Sequence, residues 1–265
     1  MPLVAASIVP HSPLLLPTVG KDYAQQTRRT KRAMASVAYD LYARQPDCLI
    51  ILHPHGRPVD ETLGANVSES FNVDFKSFGD FVTNAHWPGA LALASAIKER
   101  AEDHGFPLKF RHEPTVSYDV GVPLTLLAGH LPKVAVLPIC PSTHDLQTHI
   151  HFGRLLAEVL HHSKQRVAVI ASAELSQHVS AAAPSGIRPE GESFDKAITR
   201  GLGKKRWEHV LTGIDQTVVE LAESCGYRAL LILAGVLMKR NFHTHKLAYE
   251  HPFGIGFLTV IFNDA

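Results

Sequence analysis

Three short segments of this chain put metal-binding side chains beside proline. His11 lies between two prolines in "IVPHSPLLLP", His53 and His55 flank Pro54 in "LHPHG", and Glu250 opens "EHPFG". Two neutral imidazoles and one carboxylate on a single face leave open positions on a divalent metal, and this set is the usual ligand triad of non-haem Fe(II) oxygenases. His11, one of His53 and His55, and Glu250 could supply it. The prolines stiffen the loops and so limit the entropy lost when ligands are held in place. A fourth segment, "AELSQH", adds Glu174, Gln177 and His178 as further polar groups.

These residues need elements to position them. The apolar run Val4 to Ile8, stopped by Pro10, reads as a buried strand ending in the loop that carries His11. Met34, Val37, Ala38, Leu41 and Tyr42 fall at helical spacing between Tyr23 and Arg44, and Pro46 closes that segment. "CLIIL" (Cys48 to Leu52), "VAVLPI" from Val134 and "VAVIAS" from Val167 read as further buried strands, with helices around Leu93 and Ile97 and around Leu155 to Leu160. Helices through Ile198, Val218 and Leu231 follow, then "GIGFLTVIF" (Gly254 to Phe262) as the last strand. Strands apolar on both faces and alternating with helices predict a sheet covered on both sides. In such sheets ligands bind beyond the carboxyl ends of the strands, where His11, His53, His55, Glu174, Gln177 and His178 fall by this reading.

Most of the 17 histidines must be ordinary core or surface residues. His161 and His162 suit the dipole at a helix end, and Arg28, Arg29, Lys31 and Arg32 are most simply a solvated helix face. Ser176 lacks the G-x-S-x-G frame of a hydrolase elbow. At 265 residues with 45% hydrophobic residues, the chain can build one large α/β domain, and no repeat or linker divides residues 1–265. A formal charge of +1 gives no field for nucleic acid or a membrane surface, so a small molecule is the expected partner. The three cysteines, Cys48, Cys140 and Cys225, form no CxxC pair, which argues against a disulfide framework and for a reducing cytoplasm. The start lacks the basic region of a signal peptide, and the longest apolar run, Ala229 to Met238, falls short of the roughly 20 residues of a membrane span.

The order of "ASIVPHSPLLLP", "CLIILHPHG", "VIASAELSQHVSAAAPSGIRPEGESFD", "ESCGYRALLILAG" and "LAYEHPFGIGF" closely resembles the class III extradiol ring-cleavage dioxygenases, and within them the Memo-like group. The resemblance implies an α/β/α sandwich around a mixed, largely parallel sheet. It also implies a metal, Fe(II) in ring-cleaving members with zinc or another divalent ion as the substitute, and a catechol- or aminophenol-like substrate with dioxygen. By position it assigns His11, His55 and Glu250 as metal ligands, and places His53 and Asp119 at the substrate side. A homo-oligomer, with or without a small partner subunit, is the assembly that relatives suggest.

Two departures stand out. Where the family reads "DLSH", with the histidine as acid/base, this chain has Glu174, Leu175, Ser176 and Gln177, and the histidine follows as His178. Glutamine cannot shuttle a proton, so His178 is expected to swing into the metal pocket as acid/base while Gln177 at most hydrogen-bonds substrate. In "YDVGVPL" the family's histidine after the aspartate is replaced by Val120, in what reads as a shortened loop.

Overall fold

The computed structural model describes residues 2–56, 62–204 and 206–264. Its strands are β1 (Leu3–Val9), β2 (Cys48–Leu52), β3 (Leu63–Asn66), β4 (Ser70–Val73), β5 (His86–Pro88), β6 (Leu108–Arg111), β7 (Thr115–Val116), β8 (Ala135–Cys140), β9 (Val167–Ser172), β10 (Phe242–Glu250) and β11 (Phe257–Asp264). Its helices are α1 (Arg28–Arg44), α2 (Leu91–Asp103), α3 (Tyr118–Leu127), α4 (Leu146–His162), α5 (Pro189–Gly201), α6 (Trp207–Thr212), α7 (Gln216–Ala222) and α8 (Tyr227–Leu237).

Eight strands form one sheet in the order β10-β11-β1-β9-β2-β8-β3-β6, and β5-β4-β7 form a small second sheet. The centre β1-β9-β2-β8 is parallel, while β11 joins β1, β10 joins β11 and β3 joins β8 antiparallel. The sheet is therefore mixed and largely parallel, as expected. Alternate residues of each central strand feed opposite cores: Cys48, Ile50 and Leu52 pack with the layer of α2, α4 and α8, whereas Leu49 and Ile51 pack with Met34, Val37 and Leu41 of α1. Burial on both faces is why these strands read as unbroken apolar runs.

The first layer closes through glycine. A Cβ on Gly153 of α4 would lie 2.1 Å from the Ile232 carbonyl oxygen of α8, and one on Gly235 would lie 2.2 Å from that of Ile150. The two helices thus cross backbone to backbone. This crossing fixes α8, and the turn before it delivers Cys225 to the sheet's carboxyl edge.

The predicted helices and central strands are present, with ends displaced by a few residues. The segment Tyr118–Leu124 is not a shortened loop but the body of α3, despite Pro123 inside it. Proline has no N–H for the carbonyl four residues before it, here that of Asp119, and the Ser172 hydroxyl donates to that oxygen instead at 2.5 Å. The strands β3 to β7 and β10 escape the sequence pattern because most are short, and β10 is an edge strand largely exposed to water. Among the described residues no helix is long and apolar enough to cross a membrane.

Candidate metal centre

The loops after β1, β2 and β9 and the turn before α8 meet at one corner of the sheet. There the ligand atoms of His11, His55 and Cys225 all lie within 4.8 Å of one another. His11 Nε2 lies 3.6 Å from Cys225 Sγ, and the His11 and His55 rings meet edge to face with centroids 5.2 Å apart. Donors sharing one ion at roughly 2.0–2.3 Å sit about 3.5 Å apart in tetrahedral geometry, so this group fits a single ion after small closure.

The hydrogen bonds settle which nitrogen of His11 is free. Ser172 spends its hydroxyl proton on the Asp119 carbonyl, so its oxygen can only accept from His11 Nδ1, 3.0 Å away. Nδ1 then carries the proton and Nε2 turns its lone pair toward Cys225. Burial, set against Asp119, pushes His11 down to about 3, so the ring is neutral at ordinary pH. Burial lowers His55 as well, and its ring stacks on Tyr118 with centroids 5.2 Å apart. Burial pushes the Cys225 thiol up, helped by Glu174. An ion at this point would stabilise the thiolate.

Asp119 organises the floor. Its Oδ2 accepts from His53 Nδ1 at 3.0 Å and from the His55 backbone N–H at 2.7 Å, while the Ser117 hydroxyl donates to Oδ1. Burial alone would raise this carboxyl, but His53 and these donors hold it well below the usual range. His53 is therefore committed to Asp119 through one nitrogen and sits outside the ligand group.

Glu174 is the other buried carboxyl at this corner. Burial pushes it up to about 7, although the Gln177 side chain and the backbone of His11 and Ser12 act in the opposite direction. Its Oε1 is buried with no hydrogen-bond partner among the described residues. Glycine brings Cys225 to this wall: a Cβ on Gly226 would lie 2.3 Å from the Ala173 Cβ and 2.9 Å from the Glu174 carbonyl oxygen.

The sequence-predicted set is thus brought together in part. His11 and His55 converge, and Gln177 lies beside Glu174. Glu250 does not join them: its Oε1 accepts from the Thr30 N–H at 2.9 Å and the Thr30 hydroxyl at 2.5 Å. This carboxylate serves the first turn of α1, whose N-cap Thr27 makes no side-chain capping bond of its own. β10 does end on the same edge as β1, but two strands away, roughly 10 Å at ordinary strand spacing. Nor does His178 line the pocket. Its Nδ1 bonds the Gly186 carbonyl at 2.8 Å and its Nε2 lies 3.0 Å from Glu223 Oε2, so the ring is fixed in the loop that follows. Sequence reasoning missed Cys225, treating it only as an unpaired cysteine. The available signal was its place in "ESCGYRALLILAG", just before a strongly apolar helix.

The family model described as the catalytic LigB subunit of aromatic ring-opening dioxygenase matches residues 5–261. The chain belongs to this family. It is 26% identical over 260 residues to Protein CA_C1420 of Clostridium acetobutylicum, covering 94% of this chain but 55% of that protein, so it spans about half the length of the relative. Its fold is similar to the crystal structure of the uncharacterized protein JW3007 from Escherichia coli K12, with a TM-score of 0.69 at 17% identity over 97% of this chain and 99% of that one.

Proposed function

We propose that this protein is a metal-dependent dioxygenase that opens a catechol- or aminophenol-like ring with dioxygen, holding one divalent ion through His11, His55 and Cys225. The observation that carries the reading is the convergence of these three donors in a chain of the ring-opening family, with Nε2 of His11 already in the tautomer a ligand needs. When bound, such an ion supplies a Lewis-acidic centre that favours deprotonation of a chelating substrate. Fe(II) is the ion that ring cleavage calls for; a thiol among the donors also suits zinc or copper.

The chain's own residues have distinct tasks. Ser172 and Asp119 fix the orientation of His11 and of the His55 backbone. Tyr118, stacked on His55 and edge-on to His11, walls the donors, and burial with Asp119, Glu174 and Cys225 pushes its phenol up to about 12, so it stays protonated. To Glu174, the buried carboxyl raised to about 7 beside Gln177, falls the exchange of a substrate proton, the role the sequence suggested for His178. A cavity of about 520 Å³ beside His53 and His55 is large enough for a single aromatic ring.

A second reading, a metal-binding protein with another redox role and no ring cleavage, is favoured by the thiol donor and by Gln177 in the family's histidine position. Metal analysis of anaerobically purified protein, followed by oxygen uptake on catechols and 2-aminophenols, separates them. About one ion per chain with oxygen consumption supports the dioxygenase. A metal-replete protein inert to every diol and aminophenol leaves the second reading.

A further inference from the structure

The helices α4 and α8, which cross at Gly153 and Gly235, leave a cavity of about 230 Å³ beyond the crossing, toward their carboxyl-terminal ends. Its wall includes Leu3, the first residue of β1, whereas His11 follows the end of that strand. The seven residues of β1 span roughly 23 Å at ordinary strand rise, so this cavity and the metal donors lie at opposite edges of the sheet. The apolar part of the lining belongs to the core: Leu3, Leu160 and Val236 are each no more than 5% exposed.

The polar part is basic. Arg154, His161, His162, Lys239 and Arg240 line the cavity against one carboxylate, Glu158. Arg154 stands four residues before Glu158 on α4, ordinarily the spacing of an ion pair, yet Glu158 accepts from Arg100 Nη2 instead, at 3.0 Å. Arg240 is fixed too, its Nη2 donating to Asp264 at 2.6 Å and to the Leu3 carbonyl at 3.3 Å. Arg154 is half-buried and makes no hydrogen bond or ion pair among the described residues. Part of the remaining charge has a structural use. Both helices present their carbonyl ends here, each equivalent to roughly half a negative charge, and His161, His162 and Lys239 lie in or just past the last turns, where they offset it. Arg154 is two turns before the end of α4, and the dipole effect falls off within the last turn. Its charge, above an apolar floor, therefore serves neither a carboxylate nor a helix end.

We infer that this cavity is a second ligand site and takes a small amphiphilic anion, with a short hydrocarbon body on Leu3, Leu160 and Val236 and a carboxylate or phosphate on Arg154. A guanidinium offers paired donors that match two oxygens of either group. The volume lies below the roughly 300–1,000 Å³ of pockets for drug-sized ligands, which restricts the occupant to a single short chain or ring. The inference is independent of the proposed function, since it uses no residue of the metal corner.

The test is calorimetric titration of the full chain with hexanoate, hexyl phosphate and uncharged hexanamide, both as purified and after treatment with EDTA. At least one anion should bind about tenfold or more tightly than hexanamide in both preparations, and the tighter of the two identifies the group. Arg154→Gln should bring that anion down to the affinity of hexanamide. Ala157→Leu, which fills the cavity from α4, should weaken the same anion about tenfold or more, with melting curves confirming that both variants fold. Equal affinity of the wild-type protein for hexanamide and both anions, or no binding of either anion, overturns the inference and needs no variant. A preference lost on EDTA treatment overturns it as well, because the anion would then sit on the metal. So does a preference unchanged in Arg154→Gln or an affinity unchanged in Ala157→Leu, either of which puts the ligand outside this cavity.

Discussion

Two glutamates at the same edge of the sheet do opposite work. Glu174, just beyond β9, is buried beside His11 and Cys225 with Oε1 unpartnered, and burial pushes it up to about 7. Glu250, at the end of β10, puts its Oε1 onto two donors of Thr30 at the start of α1. The first corner leaves a carboxyl oxygen without a partner and pairs the His11 Nε2 lone pair only with the Cys225 thiol, 3.6 Å away. The second corner consumes its carboxylate internally. Polar atoms that the protein itself satisfies hold elements together, whereas a buried polar atom left unsatisfied among potential metal donors is open to a ligand. Gln177 faces Glu174 at the first corner, whereas His178 is turned to the Gly186 carbonyl and Glu223.

The sharpest break of this contrast is at the ligands. His11→Ala and Cys225→Ala should each lower metal content from about one ion per chain to near zero by elemental analysis, with the fold retained by circular dichroism. Full occupancy in either variant would remove that residue from the ligand group.

The next largest effect belongs to the satisfied side and reads out in pH. Asp195 is buried, accepts from the Ser176 N–H at 2.8 Å and the Tyr249 hydroxyl at 2.7 Å, and is nonetheless pushed up to about 7 by burial. A carboxyl raised in the folded state keeps its proton while the unfolded chain loses it. Stability should therefore fall as pH rises from about 4 to about 7 and then level, by a total of about 4 kcal/mol at about 1.4 kcal/mol per pKa unit. Asp195→Asn should flatten that slope in denaturant titrations and be the more stable protein at pH 8. An unchanged slope would show that the carboxyl ionises freely in the fold.

Ser172→Ala probes the support of His11 without touching a ligand atom. Removing the acceptor for Nδ1 frees the tautomer and should weaken metal binding about 10- to 100-fold in competition with a chelator. Undiminished affinity would mean that something other than Ser172 orients the ring.

The smallest effect is expected at Glu250. Glu250→Ala should leave metal content unchanged and cost about 1–2 kcal/mol of stability, because Thr30 loses its acceptor at the first turn of α1. Metal loss in this variant, at unchanged stability, would put the carboxylate back among the ligands and end the contrast.

Much of the framework was legible in the sequence because it depends on local pattern. "CLIIL" and "VAVIAS" appear as β2 and β9 with the predicted bounds, since strands buried on both faces must be continuously apolar. His11 and His55 were legible for the related reason that loops at the carboxyl ends of adjacent parallel strands share a crevice. Where a histidine or carboxylate follows a strand, the sequence fixes which edge of the sheet it occupies.

It does not fix how far along that edge the residue lies. β10 and β1 end on the same side, yet β11 stands between them, and that lateral order comes from antiparallel pairing near the C-terminus rather than from any local signal. Glu250 was therefore given the right edge and the wrong corner. Cys225 reached the corner through contacts that no periodicity carries: the backbone crossing of Gly153 and Gly235 that seats α8, and the approach of Gly226 to Ala173. The choice between Gln177 and His178 was likewise decided by which carbonyl and carboxylate lay nearby in space. By itself the sequence determined the α/β layering, the strand ends and the edge on which His11 and His55 meet, because apolar period and strand direction are local properties. Only the tertiary structure brought Cys225 to the candidate group and left Oε1 of Glu174 unpartnered, because an unmade bond is defined by every neighbour that fails to make it.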